Sequence, residues 1–334
     1  MNLDLTDDQA AVDDLFRAFF ARECSPAVVR GAERLGFDPV LWARLSETGA
    51  HVVAIPEALG GGGGGLFDAV LIAEAAGRHV VPVPIVEHVV VARLVASLGA
   101  AVAIEEAVIA AAPMTLALRP AAGTATLVPA GAVAAAVIVW SGERLLLARG
   151  DPPMVATPNG AGLPVADRSL DGATVLGDGD SAAQAYAQAV DEWRLLMAAA
   201  LVGLADAALW MGVGYVQERR QFGVPIGSFQ AIQHGLAELP GPISGARLLT
   251  RRAAWRRDHD DEVGFRRDAS MAFVFATELA RTVTSRVIHY YGGYGAMEEY
   301  DAQLYYRRAR GWPAQLGDPY GEVDHLAGLL YGPV

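Results

Sequence analysis

The chain has 334 residues, enough for two or three domains that share a sizeable core. It is 53% hydrophobic and 19% charged, as in a packed globular protein, and its net charge of −12 argues against nucleic acid as the main partner. The single cysteine, Cys24, excludes an intrachain disulfide, and the histidines lack ligand spacing, so no metal site is predicted.

No membrane-spanning or targeting segment is predicted. The apolar stretch Leu94–Ile104 lies between Arg93 and Glu105, and Leu127–Trp140 is broken by a proline and is shorter than the roughly 20 residues that a span requires. The N-terminal sequence MNLDLTDDQAAVDDLF is acidic and lacks the basic start of a signal peptide. We therefore expect a cytoplasmic protein that does not bind membranes.

Residues 1–110 are predicted to be mainly helical. Apolar residues recur at helical spacing after Thr6, a candidate N-cap, and again over 66–76. Six consecutive glycines, Gly60–Gly65, separate these patterns. A phosphate-binding loop would require Lys and then Ser or Thr after the glycines, but Leu66 and Phe67 follow, so a flexible connector is the preferred interpretation.

The middle and the C-terminal parts of the chain differ in pattern. Residues 111–180 contain short apolar runs, among them TATLV, AAAVIVW and ERLLLAR, which turns divide and which predict strands of a small sheet. From residue 181 to 334 long apolar stripes at helical spacing predict three or four packed antiparallel helices. The predicted fold class is mainly α with a small β domain.

One polar junction interrupts the C-terminal helices, at Glu218–Leu239. Gly and Pro residues break the helix after two arginines, and Ser228 is a candidate N-cap for the helix that follows. Arg219 and Arg220, together with Phe222 and Gln230, suit a phosphate-bearing ligand with a planar ring. The alternative is that the arginines form a solvated helix end with favourable dipole placement.

Three segments carry a resemblance to a known family. ERRQFGVPIGSFQAIQHGLAEL resembles a signature of the acyl-CoA dehydrogenase family, and HYYGGYGAMEEYDAQLYYRRAR, at His289–Arg310, resembles the family's H/Q-x-x-GG-x-G segment. VAIPEALGGGGGGLFDAVLIAEAAGR is similar to the family's first-domain stretch. The resemblance covers nearly the whole chain. It implies an N-terminal helical domain (1–110), a reduced middle β domain (111–180) and a C-terminal four-helix bundle (181–334).

The resemblance also implies a cofactor, FAD. In this family the first signature holds the ADP end of a flavin that is bound mainly by the neighbouring subunit. Carried over by position, the implied FAD contacts are Arg219, Gln221, Phe222, Ile226, Gln230, His289, Gly292 and Gly293. The glycines have an alternative role as an ordinary helix C-terminus, where Gly is common.

The family's reaction needs a glutamate base, and the resemblance locates none here. Leu316 stands where one group of relatives has the glutamate, and Ala200 stands where another has it. At a third position Trp193 precedes an arginine, and Glu192 lies one residue away, about 100° round the helix. Three other acids are assigned structural roles or are weak candidates: Glu298, Glu299 and Asp318. No catalytic residue is therefore predicted.

The resemblance implies that the cradle for the isoalloxazine ring is incomplete too. The family motif T-E-P-x-A-G-S-D corresponds to Leu118–Ala125, from which both acids are missing. We therefore predict the short subunit of a heteromeric α2β2 acyl-CoA dehydrogenase, similar to those of actinobacterial steroid side-chain degradation. A longer subunit would supply the base and the ring site for an acyl-CoA substrate. The alternatives are a stand-alone flavin oxidase or hydroxylase of a biosynthetic pathway, and a non-catalytic scaffold.

Two further features of the C-terminal part remain open in the sequence. Pro240–Pro242 falls where relatives continue a helix, and it predicts a break or a kink there. Arginines at 251, 252, 256 and 257 alternate with acids at 258–262. They indicate a solvated helix end, with contact to a CoA phosphate as the alternative.

Overall fold

The computed structural model describes residues 1–109 and 113–332, so the predicted boundary between residues 110 and 111 lies outside the described residues. The N-terminal part is helical, as predicted. Its helices are α1 (Asp7–Glu23), α2 (Pro26–Ala32), α3 (Pro39–Glu47), α4 (Leu66–Arg78), α5 (Ile85–Ser97) and α6 (Ala101–Ile109). Thr6 caps α1 as predicted, because its side chain accepts a hydrogen bond from the Gln9 backbone and the Gln9 side chain accepts one from Thr6.

The glycine run Gly60–Gly65 forms an ordered loop before α4. The N–H groups of residues 61–64 donate to carbonyls of residues 52–56, and the N–H of Gly65 donates to the Asp68 carboxylate. The first two N–H groups of α4 donate to Asp258, at 2.8 and 2.9 Å. The prediction of a flexible connector is therefore wrong. The rejection of a phosphate loop stands, because a carboxylate of the protein occupies the helix N-terminus.

A small β domain separates the helical parts. Its strands are β1 (Met114–Leu116), β2 (Thr124–Val128), β3 (Ala136–Ser141), β4 (Arg144–Arg149), β5 (Ala166–Ser169) and β6 (Thr174–Asp178). One sheet has the order β1-β3-β4-β6, in which only β1 and β3 are parallel, and β2 and β5 form a separate antiparallel pair. Val137, opposite Ala148 in the register, and Val139 lie in a core cluster of this domain.

The C-terminal part is a helical bundle. Its elements are α7 (Gly179–Glu218), β7 (Arg220–Gln221), β8 (Val224–Pro225), α8 (Gln230–Ala237), α9 (Pro240–Asp258), α10 (Glu262–Tyr291), α11 (Ala302–Ala314) and α12 (Pro319–Tyr331). Helices α7, α9, α10 and α11 pack together, with α7 and α10 at the centre. The predicted break at Pro240 is confirmed, because α9 begins there, and proline is tolerated in the first helical turn.

Helix α7 joins the bundle to the N-terminal helices. A Cβ added at Gly203 would overlap the carbonyl oxygen of Glu74 in α4, and one added at Gly77 would overlap that of Ala200. Among the described residues, α7 is the one helix long and apolar enough to cross a membrane by length and composition, but 72% of its apolar window is buried inside the fold. Helix α7 is not one of the two apolar stretches, Leu94–Ile104 and Leu127–Trp140, that the sequence offers as candidate spans. Its apolar character is that of a core helix.

Replacing Gly203 with alanine should lower the free energy of unfolding by about 1–3 kcal/mol, because the added methyl forces the α4 and α7 backbones apart. Gly245→Ala is the matched control in α9, where nothing lies within 4 Å of the added carbon. Alanine there should raise the free energy of unfolding by up to about 1 kcal/mol. Urea titration of both variants measures the difference, and equal stabilities would contradict this close approach.

Buried carboxylates paired with arginines connect the helices. All 26 basic residues of the chain other than histidine are arginines. The pairs are Glu74 with Arg247, Asp191 with Arg194 and Arg266, Glu192 with Arg93 and Arg257, and Asp268 with Arg252, Arg256 and Arg267. The prediction of a solvated helix end at residues 251–257 is therefore wrong for Arg252, Arg256 and Arg257, because buried acids bind them.

Candidate functional site

The candidate site begins at a hairpin that follows α7. Strands β7 and β8 pair Arg220 with Pro225 and Gln221 with Val224. The two tip residues, Phe222 and Gly223, have φ of 51° and 82°, the positive values of a type I′ turn. Phenylalanine rarely adopts this conformation, so the backbone at Phe222 is strained. The strained turn holds the ring 92% exposed to solvent.

Helix α8 starts immediately after the hairpin without a side-chain cap. The prediction that Ser228 is its N-cap is wrong, because the Ser228 hydroxyl donates to the Pro225 carbonyl at 2.7 Å and Phe229 occupies the cap position. The Phe229 ring lies edge-on to Phe222, with centroids 6.1 Å apart. Gln230 is the first residue of the helix and is exposed. The uncapped first turn leaves backbone N–H groups for an anion.

Arg219 links the hairpin to the segment His289–Arg310 through a contact with an aromatic ring. Its guanidinium carbon lies 5.3 Å from the centroid of the Tyr294 ring, and it makes no ion pair with any described residue. Below it, Tyr215 of α7 stacks on Tyr291 of α10, with centroids 3.8 Å apart. These aromatic contacts hold the two segments that resemble family signatures, Glu218–Leu239 and His289–Arg310, side by side.

The glycines of the second segment are open to solvent. Gly292 ends α10 with a φ of 62°, and a Cβ added at Gly292 or Gly293 would meet nothing within 4 Å. His289 is exposed and lines a groove of about 470 Å³ that also contains Arg281, Arg286 and Arg310. The glycine backbone is thus accessible to a ligand that approaches from outside the chain.

Five of the eight predicted contact residues lie at the hairpin or directly after it, and the other three lie at the end of α10. Arg219, Gln221, Phe222 and Gln230 surround the hairpin, and we call this surface the corner. Ile226 is buried in the main core, and its N–H donates to the Arg219 carbonyl at 2.8 Å, so its side chain anchors the corner from below. The assignment of all eight residues as FAD contacts stays a prediction.

The positions that relatives use for a base hold no free carboxylate. Leu316 and Ala200 are buried apolar residues. Glu192 is buried against the guanidinium groups of Arg93, at 2.7 Å, and Arg257, at 3.1 Å. Burial raises the pKa of Glu192, but the two arginines outweigh it and hold the pKa below its ordinary value. Glu192 is therefore a paired structural anion.

The three remaining acids, Asp318, Glu298 and Glu299, lie at a helix cap or in an exposed turn. Asp318 caps α12, because its carboxylate accepts a hydrogen bond from the Tyr320 N–H at 3.0 Å. Arg30 of α2 donates to the Glu298 carbonyl at 3.1 Å and pairs with Asp301 at 2.6 Å. The side chains of Glu298 and Glu299 are exposed at this tethered turn. These positions support structural roles.

Sequence reasoning missed Glu87 of α5. It is buried, lines a cavity of about 60 Å³ with Met197, Ala200 and Gln315, and accepts a 3.3 Å hydrogen bond from the Trp193 indole. Burial raises the pKa of Glu87, and no described cation pairs with it. A volume of about 60 Å³ is large enough for a few waters but too small for an acyl chain. A single acid within the apolar run IVEHVVV was the available signal.

Glu87→Gln should make the protein more stable than the wild type as the pH rises above about 4.3, the ordinary glutamate pKa. The unfolded chain ionises Glu87 at that pH, whereas the raised folded pKa keeps the buried carboxyl neutral, so the wild type loses stability that the variant keeps. The loss is about 1.4 kcal/mol per pH unit between the two pKa values. Urea unfolding from pH 4 to 8 measures it. Exposed Glu47→Gln is the control, and parallel curves for both variants would contradict the assignment.

Comparison with known proteins identifies the family. The model described as "Acyl-CoA dehydrogenase, N-terminal domain" matches residues 6–107, and "Acyl-CoA dehydrogenase, C-terminal domain" matches residues 183–317. Acyl-CoA dehydrogenase IpdE2 of Mycolicibacterium smegmatis is 32% identical over 337 residues, 98% of this chain and 100% of that protein. The chain belongs to the acyl-CoA dehydrogenase family. Both the resemblance and the predicted fold class are confirmed.

Two solved structures are close in fold to this acyl-CoA dehydrogenase family member. A variant of the Tcur3481–Tcur3483 steroid ACAD has a TM-score of 0.87 at 27% identity, and the match covers 97% of this chain and 98% of that chain. The ChsE4–ChsE5 complex from Mycobacterium tuberculosis has a TM-score of 0.87 at 26% identity and covers 100% of both chains. The family consists of oxidoreductases that use FAD.

The corner and the interior differ in how they fit FAD. The exposed Phe222 ring, the unpaired Arg219, the uncapped α8 and the open glycines fit the ADP end of the cofactor. At the positions that relatives use for the base, the cavity beside Ala200 is only about 60 Å³ and Leu316 is buried, so these positions offer no room for the reactive end. This chain therefore has residues for one end of the flavin.

Proposed function

We propose that this chain is the short subunit of a heteromeric acyl-CoA dehydrogenase and that its corner holds the ADP end of FAD. The isoalloxazine ring and the catalytic base would belong to a longer subunit. One observation carries the proposal: a strained turn keeps Phe222 92% exposed beside an unpaired arginine. Strain and exposed aromatic surface both cost free energy, so they favour a ligand at this place.

Each residue of the corner has a role in this proposal. The Phe222 ring offers a face for the adenine, and the Arg219 guanidinium offers a charge and hydrogen-bond donors to the pyrophosphate. The amides of Gln221 and Gln230 and the first N–H groups of α8 add neutral donors. Gly292 and Gly293 allow the backbone to approach the cofactor. When bound, FAD supplies the acceptor for the substrate's β-hydride.

Exposed apolar surface supports a protein partner. Helix α12 has no buried residue, and Tyr320 and Tyr331 are 74% and 86% exposed. Both solved structures named above are named after two proteins, and one of them is described as a steroid enzyme. These two relatives support a heteromeric assembly, for which we propose an α2β2 arrangement, and a bulky acyl thioester, such as a steroid side-chain acyl-CoA, as the substrate.

A flavin count tests the proposal. The chain is purified alone and after co-expression with a longer acyl-CoA dehydrogenase subunit, and bound FAD and dye-linked acyl-CoA oxidation are measured. We expect stoichiometric FAD and activity only in the complex. A homo-oligomer of this chain with one FAD per chain and robust activity would contradict the proposal and favour a stand-alone flavoenzyme. If substitution of Arg219 and Phe222 left the FAD content of the complex unchanged, the result would favour a non-catalytic scaffold role for this chain.

A further inference from the structure

A concave surface of about 540 Å³ lies between α3 and the β domain, on residues that the proposed function does not use. This volume lies within the range of small-molecule sites, about 300–1,000 Å³. Its walls are mainly apolar, and they include Phe37, Pro39, Trp42, Val108, Val133 and Met154. We call this surface the α3 pocket. Among the described residues that line it, Glu47 is the one with a carboxylate and none is an arginine, so the pocket does not favour an anion.

His51 has an unused hydrogen-bond acceptor in the wall of the α3 pocket. The residue is only 5% exposed, and its Nε2 lies 3.1 Å from the Val108 carbonyl oxygen. A carbonyl oxygen only accepts, so Nε2 carries the proton and Nδ1 of the neutral ring is the acceptor. Burial lowers the pKa of His51, which favours this neutral ring. Nδ1 has no hydrogen-bond partner in the described chain.

The neighbouring ring of His88 shows the arrangement that His51 lacks. The two imidazole centroids are 5.6 Å apart. Nε2 of His88 lies 3.1 Å from the Ala107 carbonyl oxygen, and Nδ1 accepts from the Met114 N–H at 3.1 Å. The chain thus supplies partners for both nitrogens of His88 but for only one nitrogen of His51. Because an unpaired buried acceptor costs free energy, Nδ1 of His51 favours a donor from outside the chain.

Two more lining residues have features that a ligand would relieve. The Ser46 hydroxyl is buried and has no hydrogen-bond partner among the described residues. Met154 is 53% exposed and has a φ of 53°, and its N–H donates to the Ala132 carbonyl at 2.9 Å. Positive φ strains a methionine backbone, and its exposed side chain adds apolar surface. An apolar ligand that covers Met154 removes that surface from water.

We propose that the α3 pocket binds a neutral apolar alcohol or phenol, whose hydroxyl donates to Nδ1 of His51 and accepts from the Ser46 hydroxyl. A hydroxyl can do both, whereas a carboxylate only accepts and an ammonium group only donates. The apolar walls favour an apolar body. Small rotations of the Ser46 and His51 side chains bring both atoms to the pocket surface, since side-chain changes on binding are common. The site is separate from the corner and does not depend on the proposed function.

Three probes with the same ring and alkyl chain test the head group. Ligand-observed NMR titration of the whole chain, in its complex where one forms, measures the dissociation constants of para-butylphenol, its methyl ether para-butylanisole, and the anion para-butylbenzoate. We expect the phenol to bind about tenfold more tightly than the ether, which cannot donate, and at least tenfold more tightly than the benzoate. Equal affinities for the phenol and the ether would overturn the proposal.

Two variants locate the binding. His51→Phe keeps a ring but removes the acceptor, so it should weaken the phenol about tenfold and leave the ether unchanged. Ala43→Phe places a ring in the pocket from an exposed position of α3 and should abolish binding of the phenol. Ala21→Phe, at an exposed position of α1, is the matched control and should change nothing. Circular dichroism checks the folding of each variant. Equal phenol binding by Ala43→Phe and Ala21→Phe would contradict the site.

Discussion

Glu192→Gln is expected to lower the free energy of unfolding by about 3 kcal/mol at neutral pH, because removing one partner leaves a buried charge uncompensated. The side chain of Glu192 is 3% exposed and that of Arg93 is 15% exposed, and both nitrogens of the Arg93 fork donate to the carboxylate. Glutamine has the same shape, so the charge is the main change. Urea unfolding at pH 7 measures the loss.

The same variant has a predicted pH dependence. The folded pKa of Glu192 is lowered, so its stabilising contribution is present above the ordinary glutamate pKa and is lost as the pH falls through the folded pKa. The gap between wild type and variant should therefore narrow in acid. Glu278→Gln, at a side chain 72% exposed, is the control and should change stability by less than about 0.5 kcal/mol. Equal effects of the two substitutions would contradict the buried pair.

Phe222→Ala and Arg219→Gln should each weaken FAD binding by the heteromeric complex about tenfold to hundredfold. Loss of aromatic stacking on a base costs about 1–3 kcal/mol, and loss of a hydrogen bond to a charged group costs about 1.5–3 kcal/mol. Neither change should lower the free energy of unfolding by more than about 1 kcal/mol, because Phe222 is 92% exposed and Arg219 contacts the Tyr294 ring but makes no ion pair in the described chain. Fluorescence titration of the apo complex with FAD measures both dissociation constants.

Arg22→Gln is the control for these corner variants. The Arg22 side chain is 70% exposed on α1, in the N-terminal helical part, and its removal should leave the FAD affinity unchanged. Saturating FAD should restore activity to the corner variants, because the account gives these residues a binding role only. Unchanged affinity in both corner variants would show that another surface holds the ADP end.

The sequence was sufficient for the features that depend on local pattern. Helical periodicity predicted the bundle, Pro240–Pro242 predicted a break in the helical pattern, and two quoted segments identified the family and the corner. Local signals determine these features, because propensity, turn residues and motif spacing all act within a few residues. The Phe222–Gly223 tip illustrates this, since the hairpin it closes is only two residues long on each side.

The features that were missed depend on contacts between distant residues. Arg93 and Glu192 are 99 positions apart, and Asp258 caps a helix that begins 192 positions earlier. A local cluster of charged residues usually indicates a solvated surface. The sequence therefore predicted that the arginines of α9 face solvent, although several of them pair with buried acids. The glycine run was read as flexible because no local signal indicates that its N–H groups meet carbonyls of residues 52–56.

A structure of the FAD-loaded heteromeric complex, determined by crystallography or electron cryomicroscopy, tests the central claim most directly. We expect the adenine against Phe222, the pyrophosphate at Arg219 and the N-terminus of α8, and the isoalloxazine ring within the longer subunit beside that subunit's own glutamate. A flavin held entirely within a single polypeptide, with the corner facing solvent, would contradict it.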